Sequence, residues 1–149
     1  MYPIVLALHN IVRWIVLILG VVAVVRAFLG WFKKRPWEPT DRKVGMFFGM
    51  SIDIQILLGL LLYFIYSPIT KSALQDFGAA MRVPDLRYFA LEHVFYMVVA
   101  VVFAHLGSIL PRKMDEATSK HKRAALFFTV AVLAILLGIP WMRPLLPGL

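Results

Sequence analysis

The sequence has no cysteine among its 149 residues. That excludes disulfides, iron–sulfur clusters, thiolate zinc sites and a covalently attached c-type haem. Charge is also sparse. Only 16% of residues are Asp, Glu, Lys or Arg, against about a quarter in soluble domains. Acidic residues are the scarcer sign, eight against sixteen Lys and Arg, giving a net charge of +8. No nucleophile elbow, P-loop, dinucleotide fingerprint or zinc-protease motif occurs. The basic residues cluster in short connections and form no broad basic face, so no nucleic-acid partner is expected.

What is abundant is apolar. Hydrophobic residues make up 61% of the chain, and the mean hydropathy is +0.81. Four apolar runs are each long enough for a bilayer core of ~30 Å, which takes about 20 helical residues. They predict helices over 3–32, 44–66, 85–110 and 123–142. The runs lack the period-2 alternation of strands, and a barrel needs more segments. The expectation is one all-α domain over 1–149, a transmembrane four-helix bundle running up-down-up-down.

The connections set its orientation. "KKRPWEPTDRK" (33–43) and "RKMDEATSKHKR" (112–123) carry five basic residues each, whereas 67–84 has only Lys71 and Arg82 and the tail only Arg143. The positive-inside rule then puts both termini outside and both basic connections in the cytoplasm. A multi-pass protein of a bacterial inner membrane, with the lipid bilayer as its first partner, is expected. The first run lacks a basic n-region and an A-x-A-like site and is too long for a cleavable signal peptide. Pro36, Pro39 and Pro111 punctuate helix ends, and Pro84 suits a first helical turn. Trp31, Trp37, Tyr66, Tyr88 and Trp141 fall where an aromatic belt lies. Gly45/Gly49 and Ala100/Ala104 have the four-residue spacing that lets helices approach, within the bundle or with a partner.

Against this background the polar residues inside the spans stand out, because each costs ~2.5–3.5 kcal/mol or more at the membrane centre. His9 and His93 lie in the outer parts of two helices that run in the same direction. His9 is about 26 Å from Arg26 and His93 about 28 Å from Arg112 along the helix, at 1.5 Å per residue. With Arg26 snorkelling to the inner interface, the two imidazoles share a depth and can meet in the core, where bundles build cofactor sites; with Lys33 at that interface instead, they are mismatched by almost two helical turns. Two neutral imidazoles are an axial pair for haem iron. Interface histidines bonded to backbone or headgroups are the plainer alternative.

Arg13 follows His9 by four residues, on the same face. It suits a haem propionate, with Asn10 and Trp14 completing the wall; the alternatives are snorkelling or pairing with Glu92. Adjacent helix positions point about 100° apart, so Glu92 is expected to serve His9, Arg13 or a bound quinol and not its neighbour His93. Asp53 and Gln55 lie mid-helix in "SIDIQILLG"; they suit a proton path, and the alternatives for Asp53 are pairing with a basic group or a neutral carboxyl hydrogen-bonded within the bundle. His105 and His121 form a candidate second ligand pair on the cytoplasmic side. A weak internal repeat relates "LALHNIV" (6–12) to "FALEHVF" (89–95).

Taken together, "HN-x-x-RW", "DIQ-x-L-x-G", "EH", "H-x-G", "KHKR" and a late "IPW" resemble a family of small four-helix membrane proteins found in Bacteroidota-like bacteria and labelled cytochrome B or cytochrome b-like. The resemblance implies that His9, Arg13, Asp53, Gln55, Glu92, His93, His105 and His121 are the family's polar positions. It implies haem b, one or two per chain; quinone as a redox partner belongs to the functional expectation and not to the resemblance. The separation of 12 residues between His93 and His105 departs from the 13 or 14 of two-haem cytochromes b. The leading expectation is a b-type cytochrome with His9 and His93 as axial ligands. The alternative is a haem-free accessory subunit of a larger membrane complex of respiratory type, in which His9, Arg13 and Glu92 knot helices together. A small transporter or proton conductor built on Asp53 is the third reading.

Overall fold

The computed structural model describes residues 1–146. Four long helices carry the spans: α1 (Tyr2–Phe32), α2 (Pro39–Leu61), α6 (His93–Ile109) and α7 (Ala117–Gly138). Between α2 and α6 lie three short helices, α3 (Pro68–Gln75), α4 (Phe77–Ala80) and α5 (Pro84–Arg87). Two π-helical turns, Leu62–Tyr66 and Tyr88–Glu92, extend α2 and lead into α6, and a 3₁₀ turn, Leu110–Lys113, closes α6. The continuous spans are thus Tyr2–Phe32, Pro39–Tyr66, Pro84–Lys113 and Ala117–Gly138, all long and apolar enough to cross a membrane. The protein is a four-helix transmembrane bundle. We name its ends outer and inner by the charge bias.

The helices form a ring in which α1 touches α2 and α7, and α6 touches α7 and, more loosely, α2. Half of the α7 span is buried, against a third or less of the others. Its sequence explains this. Ala124, Ala125, Ala131 and Ala134 let neighbours approach closely, and all four are buried. Ala100 and Ala104 do the same on α6. The space left is filled by Phe128 against Phe48, edge to face at 5.7 Å. Gly45 packs against Phe128 and Ser108, so the Gly45/Gly49 pair is spent inside the bundle.

Helix ends differ from expectation where polar groups offer caps. The second span starts at Pro39, five residues before the apolar run. The Asp41 carboxylate accepts from the Glu38 backbone N–H at 2.8 Å, and Arg26 reaches across to Asp41 at 2.6 Å and Glu38 at 3.0 Å. The last span starts earlier too, at Ala117, and ends at Gly138, because Pro140 offers no N–H to continue it. The outer connection is helical, built on the small buried residues Ala73, Ala80 and Ala90.

Each π turn breaks the regular ladder, and a nearby hydroxyl takes a carbonyl in it. Tyr63 donates to the Ala90 oxygen at 2.9 Å, and Thr70 donates to the Tyr63 oxygen at 2.7 Å.

Candidate functional site

The two outer histidines meet. His9 on α1 and His93 at the head of α6 have ring centroids 6.3 Å apart, with planes inclined at 63°. The π turn before α6 sets this geometry. "ALH" (7–9) and "ALEH" (90–93) differ by one inserted residue, Glu92. The turn Tyr88–Glu92 ends on it, and a π turn is the helical device that absorbs an extra residue.

His93 is oriented from the far side. Its Nδ1–H donates to the Gly138 carbonyl at 2.6 Å, and the Tyr88 hydroxyl donates to the same oxygen at 2.7 Å. Gly138 is the last residue of α7, so its carbonyl has no helical partner and is open to both. This fixes the tautomer and leaves Nε2 as the nitrogen with a free lone pair. His9 lies against Gly59, where a methyl group would sit 3.4 Å from the imidazole Cε1. Gln55 on α2 donates to the His9 backbone oxygen at 3.0 Å, tying α1 to α2 at that level.

Around this pair, buried polar atoms lack partners. His9 Nδ1, Gln55 Oε1 and Arg13 Nε are all buried and without a hydrogen bond. Buried polar atoms are nearly always satisfied, so a cluster of orphans marks a place where a further group completes the set.

Arg13 is 6% exposed. Its Nη2–H donates to the Leu145 carbonyl, as does Trp14 Nε1–H at 3.2 Å, and Nη1–H reaches Asn10 Oδ1 at 3.4 Å. The C-terminal segment therefore crosses the outer end of α1 and occupies part of the guanidinium fork.

Glu92 goes elsewhere than expected. It pairs with Arg87 at 2.7 Å, facing outward, and touches neither Arg13 nor His9. The cause is again the π turn, which brings residues five apart into line.

His105 and His121 take separate partners. His105 Nε2–H donates to Asp53 Oδ1 at 2.8 Å, and both side chains are more than 40% exposed on the flank of the bundle. His121 is 1% exposed, packs against Trp37 with ring centroids 4.9 Å apart and planes inclined at 55°, and bonds the Pro36 carbonyl at 3.3 Å. A methyl at Gly30 would lie 2.2 Å from its Nδ1. It clamps the inner connection. Three of the four histidines lie against a glycine of a neighbouring helix: His9 on Gly59, His105 on Gly49 and His121 on Gly30. His93 instead bonds the Gly138 carbonyl, and the open face of Gly138 is filled by Met97 and Tyr96. Glycine–histidine packing between helices is the signal in the sequence for those three.

Among the described residues no group of three His, Asp or Glu side chains is arranged to hold a metal ion. A haem asks for less, because its macrocycle supplies four ligands and the protein two. His9 and His93 would be the two residues to hold it, from neighbouring rings whose centroids lie 6.3 Å apart. No family model, curated protein or solved structure matches the chain.

Proposed function

We propose that this protein is a b-type cytochrome of a bacterial inner membrane, holding one haem b between His9 and His93 and exchanging electrons with quinol or with a larger membrane complex. The observation that carries the reading is the contact of two partly buried imidazoles, ring centroids 6.3 Å apart, from helices that run in the same direction. Haem supplies a one-electron carrier, and the chain supplies binding and tuning. The Gly138 carbonyl holds His93 Nδ1–H and so fixes the tautomer and orientation of the ring. Gln55 fixes the α1 backbone at His9. Arg13, partly engaged by the tail, keeps an unpaired Nε–H for a carboxylate. The apolar wall of Val16, Leu17 and Ile52 keeps water from the deeper bundle.

The test is the visible spectrum of the purified protein, oxidised and then reduced with dithionite. A sharp Soret band and a reduced α band at the b-type position are expected. A colourless preparation from haem-replete cells overturns the reading.

A second reading is a haem-free accessory subunit. Its support is a set of side-chain bonds to backbone that already join elements: Gln55 to His9, His93 to Gly138 and Arg13 to Leu145. In that case the same residues are a structural knot, and the colourless result is the expected one.

A further inference from the structure

The Asp53–His105 pair is in the wrong place for a chain that works alone. Asp53 lies at the middle of the Pro39–Tyr66 span, ~20 Å from either end at 1.5 Å per residue. Ionisable residues at such depth face a bundle interior or a water-filled cavity. Here the two side chains are 49% and 42% exposed on the outside of the ring. They bridge α2 and α6, the loosest of the neighbouring helix pairs.

The outward stripe of α1 is an internal control. It runs Ile11, Ile15, Ile18 and Val22 with aliphatic residues at each step, as a lipid-facing surface should. The outward stripes of α2 and α6 have the same spacing and the same kind of residue, Met50 and Leu57 on one, Val98 and Val102 on the other. Asp53 and His105 interrupt them at one level. Lipid tails give that level no hydrogen bond.

The pair also has bonding capacity left over. With Nε2–H committed to Oδ1, its charge-neutral form keeps one N–H, at His105 Nδ1, and one carboxylate oxygen, Oδ2 of Asp53. Gly49 lies beside the Cε1–Nδ1 edge of the imidazole and has no side chain to take up that N–H. One donor beside one acceptor is self-complementary. Two copies inserted in the same orientation, as the positive-inside rule requires, carry this pair at the same depth. A twofold axis along the membrane normal then sets each donor against the other copy's acceptor, the arrangement of an isologous interface.

We propose that the α2–α6 face is the dimer interface of this protein, with the Asp53–His105 pairs of two copies hydrogen-bonded to each other at its centre and the flanking stripes packed around them. The proposal does not depend on haem.

The absence of cysteine makes the test direct. Met50→Cys, Val102→Cys and Ile15→Cys are expressed singly in the full chain and treated in native membranes with a short bis-maleimide. Met50→Cys and Val102→Cys should each give a product of twice the 17.0 kDa chain mass, and differently tagged copies should be found in the same product. Ile15→Cys should remain monomeric. Combining Met50→Cys with Asp53→Leu and His105→Leu should cut the crosslinked yield at least tenfold, with unchanged far-ultraviolet circular dichroism showing an intact bundle. The proposal is overturned by monomer at both stripe positions, by a product whose second chain is a different protein, by equal crosslinking at Ile15, or by a yield indifferent to the double leucine change.

Discussion

His93 reaches the Gly138 carbonyl at 2.6 Å, joining the first turn of α6 to the last residue of α7. Tyr88 shares that oxygen at 2.7 Å. On the single-haem reading, His93→Ala should abolish low-spin haem binding, whereas Tyr88→Phe should keep the spectrum and only loosen the helix end. Interhelical hydrogen bonds in membranes contribute about 0.6 kcal/mol on average, so the phenylalanine variant should lose little thermal stability. Loss of the Soret band in Tyr88→Phe, or its retention in His93→Ala, would contradict the assignment.

His121 predicts a steep response at a residue with no polar group. A methyl at Gly30 would meet the His121 ring at 2.2–2.6 Å. The ring is buried and held by Trp37 and Pro36, so it has little room to yield. Gly30→Ala should cost about 1–3 kcal/mol as an overpacking change. Gly78→Ala, where the nearest contact is at 3.6 Å, should stay within about 0.5 kcal/mol. Thermal unfolding in detergent compares the two.

Arg26 holds the inner connection in place through Asp41 and Glu38. Asp41 is 7% exposed, so this pair is less screened than an ordinary surface bridge. Arg26→Gln should remove about 1–2 kcal/mol of local stability, on the scale of hydrogen bonds to charged groups. Limited trypsin digestion of inside-out vesicles is the measurement. Cleavage after Lys33 or Lys34 should accelerate severalfold in the variant.

Orientation is testable with single cysteines at exposed positions. Gly78→Cys, in the outer connection, should react with a membrane-impermeant maleimide on intact cells. Asp115→Cys, in the inner one, should react only after permeabilisation. The opposite pattern would reverse the topology.

The spans were legible because membrane insertion depends on runs of hydropathy, and the meeting of His9 with His93 was legible because both are set by depth along parallel helices. The partners of the other polar residues were not. Counting 100° per residue separated Glu92 from its neighbour His93, as the structure does, but the π turn Tyr88–Glu92 sends the carboxylate to Arg87, five residues back, and not to His9 or Arg13. Asp53 and His105 sit on different helices whose rotation about their own axes is fixed by packing across the whole bundle, through Phe48, Phe128 and the buried alanines. A single helix does not encode that phase. The short helices α3 and α4 gave no such signal, because the apolar residues they bury are Ala73 and Ala80, whose burial adds little to hydropathy, while Leu74 and Phe77 stay exposed.

One contact has a different kind of consequence. Arg13 and Trp14 are held by the main-chain oxygen of Leu145, not by its side chain. Any amino acid at position 145 offers the same oxygen. These hydrogen bonds constrain the path of the tail across α1 whatever its residue types, while packing of the Leu145 side chain against the core restricts composition at that one position. Insertions and deletions after Trp141 should be felt at Arg13 far more than substitutions there. A comparison of chain lengths would detect this coupling where a comparison of residues would miss it.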